Sequence, residues 1–244
     1  MSIEQAYLYG SQWKEVFDVT ESSSWIRCDL AIWGAILQGA DEIKLKKGEF
    51  LFNQGDTVQC IYIVKSGRLI QFLIGIYGDE KIVTNMGVGA ICGESAIYHN
   101  EPILYGTKAI SDVTLYRISV PIFRSYLASD TSLNQVVLNM LIRKINVMAM
   151  QISDLSFGNV YQRLAGELYH ASLIFGTPVP EGICLDHPLT HQDLANKINA
   201  SRETVSRHMG RLEKEGIIMK AGKRYIVLSQ KALKDIYSPI NYGD

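Results

Sequence analysis

Glu203 and Arg207 stand four positions apart in the segment SRETVSR, residues 201–207. On a helix that spacing puts both on one face, one turn apart. An arginine there can donate two hydrogen bonds to guanine O6 and N7, and a glutamate can accept from cytosine N4. Arg202 and Ser206 fall on the same side, so the helix gathers four side chains able to address base edges. Each good bidentate contact of this kind discriminates between bases by about 1–3 kcal/mol. The bland alternative, a surface ion pair between Glu203 and Arg207, is worth only about 0.3–0.5 kcal/mol.

Such side chains need elements to hold them. Ser201 is placed to cap the helix SRETVSRHMGRLEKE, residues 201–215, and Gly216 to end it. Val205, Met209 and Leu212 give that helix a stripe to bury. Ahead of it, Thr190 to Asp193 has the form of a capping box before Leu194, Ala195 and Ile198. Asn199-Ala200 then supplies a short turn, and asparagine tolerates the left-handed conformation such turns need. Beyond the second helix, IIMKAGKRYIVL predicts a hairpin with Ala221-Gly222 at its tip. Helix, turn, polar-faced helix and basic wing together read as a winged helix-turn-helix. Thr190, Ser201, Lys220, Lys223 and Arg224 are the expected phosphate contacts, which fix register without choosing sequence.

The charge distribution agrees. Between Thr190 and Asp235 stand ten Lys/Arg and five acids, a local charge of +5, whereas the whole chain carries −1. A basic module on an acidic body is the footprint of a nucleic-acid-binding domain.

Upstream, three textures follow one another. Residues 3–40 predict short helices, with Trp25, Ile26, Leu30, Ile32, Trp33 and Ile36 at roughly helical spacing. Residues 43–119 are short β-branched and aromatic runs broken by glycine, which read as an antiparallel sandwich or barrel. Residues 130–154 read as one long helix without glycine or proline, its apolar positions recurring every three or four residues. Because two-fold DNA readers dimerise, Val137, Met140, Leu141, Ile145, Met148 and Ile152 are expected to form a helix-to-helix seam, the alternative being a helix packed on its own domain's core. Asn159 should cap a further helix to about Phe175, closed by the stretch GTPVPEG. The expected domains are a sensing domain at 1–129, a dimerisation helix at 130–157 and a DNA-binding domain at 158–244.

SRETVSR, set within TxxDLAxxxxASRETVSRxxxxLExxGII, resembles the recognition region of the cyclic-AMP receptor protein and fumarate–nitrate reductase regulator (CRP/FNR) family. Gly48, Leu51, Gln54-Gly55-Asp56, the run Ile61 to Val64, Gly67, Leu69, Gly89 and Gly93-Glu94 are similar to its cyclic-nucleotide-binding β-roll. The resemblance spans about residues 40–235. It implies an α+β chain: a jelly-roll-like β-roll, a long dimerisation helix and a winged helix-turn-helix. It also implies a homodimer on double-stranded DNA, partnered by RNA polymerase if the protein activates. Carried onto this sequence, Glu203, Ser206 and Arg207 are the base readers. They resemble the fumarate–nitrate branch and imply an inverted repeat with TTGA-like arms, while Arg202 is more like the cyclic-AMP branch.

The effector is where the sequence departs. Cyclic-AMP binders of this family carry an arginine shortly after the Gly-Glu motif that grips the cyclic phosphate. Here Pro102, Ile103, Leu104 and Tyr105 stand in that region. An uncompensated phosphate in such a pocket is costly, so cyclic AMP is not expected to bind. Only Cys28 lies near the amino terminus, against the cysteine cluster of iron–sulfur relatives, and His99 is the sole histidine of the sensor half. Neither an iron–sulfur cluster nor a haem is therefore expected.

What remains is a different small organic effector, with an aromatic anion as one guess suggested by halorespiration regulators of the family. Tyr62, Phe72, Leu73, Tyr98 and Tyr105, with Gly93 and Glu94, could line its pocket, though each also fits plain core. Arg143 and Lys144 on the long helix could meet an anionic group. Gating by redox or by a partner protein, or activity without an effector, is the alternative.

Other classes are disfavoured. There is no metal-ligand spacing, no GxSxG and no phosphate loop, so an enzyme is not expected. Four scattered cysteines without a CxxC pair argue against zinc and a disulfide framework. No apolar run approaches the ~20 residues of a membrane span, and the first residues lack the profile of a secretory signal. A cytoplasmic protein with no membrane partner is the expectation.

Overall fold

Strand-forming runs between residues 41 and 119 close into two facing sheets. The computed structural model describes residues 25–97, 101–185 and 189–237, and these fall into two units that part between Val147 and Met148. In the first unit, β1 (Trp25–Ile26), β3 (Phe50–Phe52), β5 (Leu69–Ile74), β6 (Glu80–Met86) and β8 (Gly106–Ala109) make one sheet, ordered β1-β6-β5-β8-β3. The other holds β2 (Asp41–Leu45), β4 (Cys60–Ser66), β7 (Ile91–Cys92) and β9 (Val113–Ser119), ordered β2-β9-β4-β7. Alternation decides what each strand buries. Leu69, Met86 and Ala109 lie side by side across three strands and share a core with Val64 and Leu115 of the second sheet. Ile61 and Ile63 of β4 point the other way, into a second core with Trp33, Phe123 and Val137.

One sequence expectation changes here. Trp25 and Ile26 do not belong to a short helix. Trp25–Ile26 pairs in parallel with Asn85–Met86, and 3-10 turns follow at Leu30–Leu37. Trp33 is fully buried and its Nε1 donates to the Gly89 carbonyl at 2.8 Å. Apolar spacing there reflects two separate anchors rather than one helical face. Residues before 25, and Tyr98 and His99, lie outside the described residues.

After β9 come α1 (Val120–Ser129) and the long helix α2 (Thr131–Phe157). One side of α2 is buried through Leu133, Val136, Val137, Met140, Lys144 and Val147. Its opposite side exposes Leu138, Ile142, Ile145, Met148, Ile152 and Leu155. Among the described residues no helix is long and apolar enough to cross a membrane.

The second unit adds α3 (Val160–Phe175), β10 (Gly176–Val179), β11 (Gly182–Leu185), α4 (His191–Ile198), α5 (Arg202–Lys214), β12 (Ile218–Ala221), β13 (Arg224–Val227) and α6 (Gln230–Tyr237). Asn159 caps α3 in a full capping box with Gln162. GTPVPEG does more than close that helix: it forms the edge strand β10 and the turn into β11, in a sheet ordered β10-β11-β13-β12. Pro178 is tolerated because β10 is an edge. Leu164, Leu168, Leu194, Val205, Met209, Leu212 and Leu233 fill the core of this unit.

Candidate nucleic-acid interface and sensor interior

Thr190 caps α4 through the Asp193 amide, and Asp193 reaches back to the Thr190 amide, so two helix-end donors are satisfied reciprocally. Asn199 ends α4 in the left-handed conformation, φ 53° and ψ 63°. Ser201 then accepts from the Thr204 amide and starts α5. The turn between the two helices is therefore set by local chemistry. Val205, Met209 and Leu212 sink one face of α5 into the core, each such burial contributing about 1.5–3 kcal/mol. Arg202, Glu203, Ser206 and Arg207 are all exposed on the other side. Among the described residues no ion pair joins Glu203 to Arg207.

The wing follows at once. β12 and β13 pair from Ile218↔Val227 to Ala221↔Arg224, so the turn is Gly222-Lys223, one residue later than expected. Gly222 takes a φ of 62°, which suits glycine in so tight a hairpin. Lys220, Lys223 and Arg224 are exposed around this tip, as are Thr190 and Ser201 at the two helix starts.

The back of α5 carries a cluster that sequence reading missed. Tyr161 of α3 lies against His208, ring centroids 5.3 Å apart, with the Arg211 guanidinium 4.1 Å over its ring. Tyr161 donates its hydroxyl to Glu215, and Arg211 Nε donates to the same carboxylate at 2.7 Å. Burial first, and then the Glu215 carboxylate, push the Tyr161 phenol up to about 12. Glu215 is held below its usual range by those same two donors. Tyr161 lies 54 residues from Glu215, so no local pattern could reveal the contact.

Inside the first unit, Gly93-Glu94 makes the turn after β7. Gly93 has φ 83°, and a Cβ there would stand 2.6 Å from the Cys60 carbonyl oxygen, so only glycine fits. Glu94 points inward and pairs with Lys144 of α2 at 2.7 Å, their side chains 9 and 4% exposed. Lys144 also donates to the Ile91 carbonyl at 3.1 Å, and Tyr105 donates to Glu94 Oε1 at 3.0 Å. Burial, then Glu94, drive the Tyr105 phenol far up, which keeps it a donor. Beside this group runs a polar row across three strands of the inner sheet face. Thr84, Gln71 and Thr107 stand in direct register, all buried, and Thr84 donates to Gln71 Oε1 at 2.6 Å. Gln71 also faces the Tyr105 hydroxyl, yet its Nε2 completes no well-formed hydrogen bond. Glu94 Oε2, Ser95 Oγ and Thr107 Oγ1 are likewise buried, with no partner among the described residues.

Of the expected pocket residues, Glu94, Tyr105 and Lys144 meet in one network, with Gly93 shaping it. Tyr62 is half-buried in the same core, its ring 6.2 Å from Phe52. Arg143 is half-buried one position before Lys144 on α2. Phe72 is a correction. Alternation along β5 puts Phe72 on the face of Ile70, opposite Leu69 and Gln71, so its ring leaves the interior for a small cluster with Ile70 and Ile82, over Gly106 and under the Lys108 ammonium at 4.8 Å. Leu73 is exposed. The dimer seam is corrected too. Val137 and Met140 are buried in the sensing unit's own core, 3 and 1% exposed, and Leu141 is partly drawn in. Ile145, Met148 and Ile152 are exposed, joined by Leu138, Ile142 and Leu155.

Comparison with known proteins adds the decisive observation. Residues 42–130 match the cyclic nucleotide-binding domain and residues 162–236 match the Crp-like helix-turn-helix domain, in that order along the chain. The chain belongs to the CRP/FNR family. This family of transcription regulators includes the CRP-like cAMP-activated global transcriptional regulator of Mycobacterium tuberculosis. That relative is 25% identical over 199 residues, covering 82% of this chain and 89% of its own length. The fumarate and nitrate reduction regulatory protein of Vibrio cholerae is 26% identical over 192 residues, covering 79% of this chain and 76% of its own. In structure, a CooA mutant from Carboxydothermus hydrogenoformans superposes with a TM-score of 0.73 at 21% identity, covering 84% of this chain and 91% of that one. The two-domain CRP/FNR architecture is thus the fold observed here.

The sensor interior departs from a cyclic-phosphate site of that family. No arginine stands between Pro102 and Tyr105; Ile103 is buried, Leu104 is exposed and Tyr105 engages Glu94. The buried cation in this interior, Lys144, already has its counter-charge in Glu94. Lys144, expected to meet an anionic group, pairs with Glu94 in this structure. Among the described residues no group of three or more His, Cys, Asp or Glu could hold a metal ion.

Proposed function

We propose that the protein is an effector-responsive, homodimeric transcription regulator that reads an inverted repeat with TTGA-like arms. The observation that carries this reading is α5: capped, packed on Val205, Met209 and Leu212, and presenting Arg202, Glu203, Ser206 and Arg207 to solvent. Glu203, Ser206 and Arg207 address the bases; Arg202 addresses the first step of the arm. Thr190, Ser201, Lys220, Lys223 and Arg224 hold phosphates and set the salt dependence.

The second copy docks through α2. Leu138, Ile145 and Ile152 recur every seven residues, and so do Leu141, Met148 and Leu155, the period of a two-stranded seam. Leu138, Ile145, Met148, Ile152 and Leu155 are exposed in the single chain. The working division is a sensing domain at 1–129, the dimer helix at 130–157 and the DNA-binding domain at 158–244. The site of action is the cytoplasm, with RNA polymerase as a partner if the protein activates.

The effector is a small uncharged organic molecule rather than cyclic AMP. The interior is charge-balanced by Lys144 and Glu94, and it offers an amide donor, two hydroxyls and a carboxylate oxygen whose bonds are unfilled. Such a set favours a ligand with both donors and acceptors and no net charge.

The test is to select duplexes from a randomised DNA pool with the purified protein and sequence the bound fraction. Enrichment of a TTGA-like inverted repeat is expected. A bound pool with one arm only, or with no preferred sequence, sinks the reading. In parallel, millimolar cyclic AMP is expected to leave the thermal unfolding midpoint unchanged; a clear rise overturns the effector assignment.

A further inference from the structure

The end of the long helix and the turn that aims α5 are tied together by one side chain. Arg163, in the first turn of α3, donates through Nη1 to the Gly158 carbonyl at 2.6 Å. Its Nε donates to the Ile198 carbonyl at 2.9 Å and its Nη2 reaches the Asn199 carbonyl at 3.4 Å. Ile198 and Asn199 close α4, where helix-end carbonyls have no partner within their own helix. Gly158 is the first residue after α2, and its amide returns to the Asp154 carbonyl at 2.9 Å. The two attachment points are 35 and 36 residues from Arg163 on one side and five on the other. Burial lowers the pKa of the guanidinium, while nearby Asp154 favours its charge. Arginine suits this place because its planar fork presents donors in three directions at once, which a lysine ammonium on a flexible stem does not.

Two residues earlier, Tyr161 grips the other half of α5 through His208, Arg211 and Glu215. The first turn of α3 therefore holds α5 near both of its ends, by Arg163 at the preceding turn and by Tyr161 behind it. Tyr161 touches only the far half of the helix. Arg163 also holds Gly158, the residue that follows α2.

We propose that Arg163 is a positioning residue for DNA reading: it transmits the direction of the end of α2 to the α4–α5 turn, and so sets how the reading helix is presented. This rests on the DNA-reading function proposed above. In a two-fold dimer the consequence is specific. With the strut in place the two reading helices keep a defined separation and phase, so the protein demands one spacing between arms. Without it each helix-turn-helix still binds its own arm, but the spacing requirement relaxes.

The experiment compares the wild type with Arg163→Lys and Arg163→Gln. Binding is measured to inverted repeats with the selected spacing and with one base pair added or removed, and to duplexes with a single arm. The wild type is expected to lose about tenfold in affinity, about 1.4 kcal/mol, when the spacing changes. Both variants are expected to lose only a small part of that while binding the single arm like the wild type. If the variants keep the full spacing penalty, or lose single-arm and paired-arm binding alike, Arg163 is merely a packing residue and the proposal fails. Hydrogen exchange on the DNA-free proteins gives a reading independent of DNA function. Faster exchange in Arg163→Lys at both 157–159 and 199–201 supports the strut; a change at one site alone, or at neither, overturns it. Failure of the wild type to bind any selected duplex would instead strike the function proposed above.

Discussion

Lys144 reaches Glu94 across 2.7 Å although 50 residues of chain separate them. The contact fastens the long helix to the turn after β7, in the middle of the sensing unit. Both charges are nearly sealed from water, so each depends on the other far more than an exposed pair would.

Lys144→Met should therefore strand the Glu94 carboxylate and destabilise the sensing unit by about 3–5 kcal/mol. The double change Lys144→Met with Glu94→Gln removes the orphaned charge and keeps an acceptor for Tyr105, so most of that loss should return. Urea unfolding of the three proteins measures it. A double variant no more stable than Lys144→Met would show that the pair does not act as a charge pair.

On α2 the two sides should respond oppositely. Ile145→Glu or Ile152→Glu replaces a side chain that is 62 or 65% exposed, so the monomer should keep its fold while sedimentation shifts to the monomer mass. Val137→Glu, at 3% exposed, should unfold the sensing unit by burying an unpaired charge. A dimer that survives both seam changes would place the second copy elsewhere.

At the DNA face, Arg207→Ala is expected to cost about 1–3 kcal/mol and to relax preference at one base step in each arm. Lys223→Ala should weaken all sequences evenly and lower the salt slope by about one unit. Quantitative binding at several salt concentrations separates the two. Equal loss on all sequences for Arg207→Ala would remove it from the base readers.

His208 predicts a pH effect. Burial first, then Arg207 and Arg211, hold its imidazole below the usual histidine range. The unfolded chain takes up that proton near pH 6.5 and the folded chain resists it, so stability is lost as pH falls below about 6.5. His208→Gln should remove that share of the acid sensitivity. Urea midpoints at about pH 7.5 and about pH 5.5 test it; identical pH responses in the two proteins would count against it.

What sequence could show was what local chemistry controls. Thr190 with Asp193, Asn159 with Gln162, Ser201 at the head of α5 and Asn199 at the turn all act within a few residues, so their types and spacing suffice. The apolar positions of α2 were legible as helical, but they cover two sides. Periodicity cannot say that Val137 and Met140 serve the sensing unit's core while Leu138 and Ile142 are left outside. Phe72 misled because alternation along β5 gives it the face of Ile70 rather than that of Leu69, and with both faces of the strand apolar the sequence does not say which one is the interior. GTPVPEG read only as the close of the preceding helix because Pro178 speaks against a strand, and an edge strand tolerates it. Glu94 with Lys144, Tyr161 with Glu215 and Arg163 with Ile198 depend on the whole fold, and no short window contains them.

Cys28 and Cys92 are sealed inside the sensing unit, while Cys60 and Cys184 are half-buried. Burial raises the Cys28 thiol to about 12 and the Cys92 thiol further, so neither offers a thiolate to an alkylating reagent while the unit is closed. Two thiols should therefore label readily in the native protein and two only when the roll opens. The slow pair is a built-in clock for breathing of the sensor, readable by mass spectrometry without adding a probe.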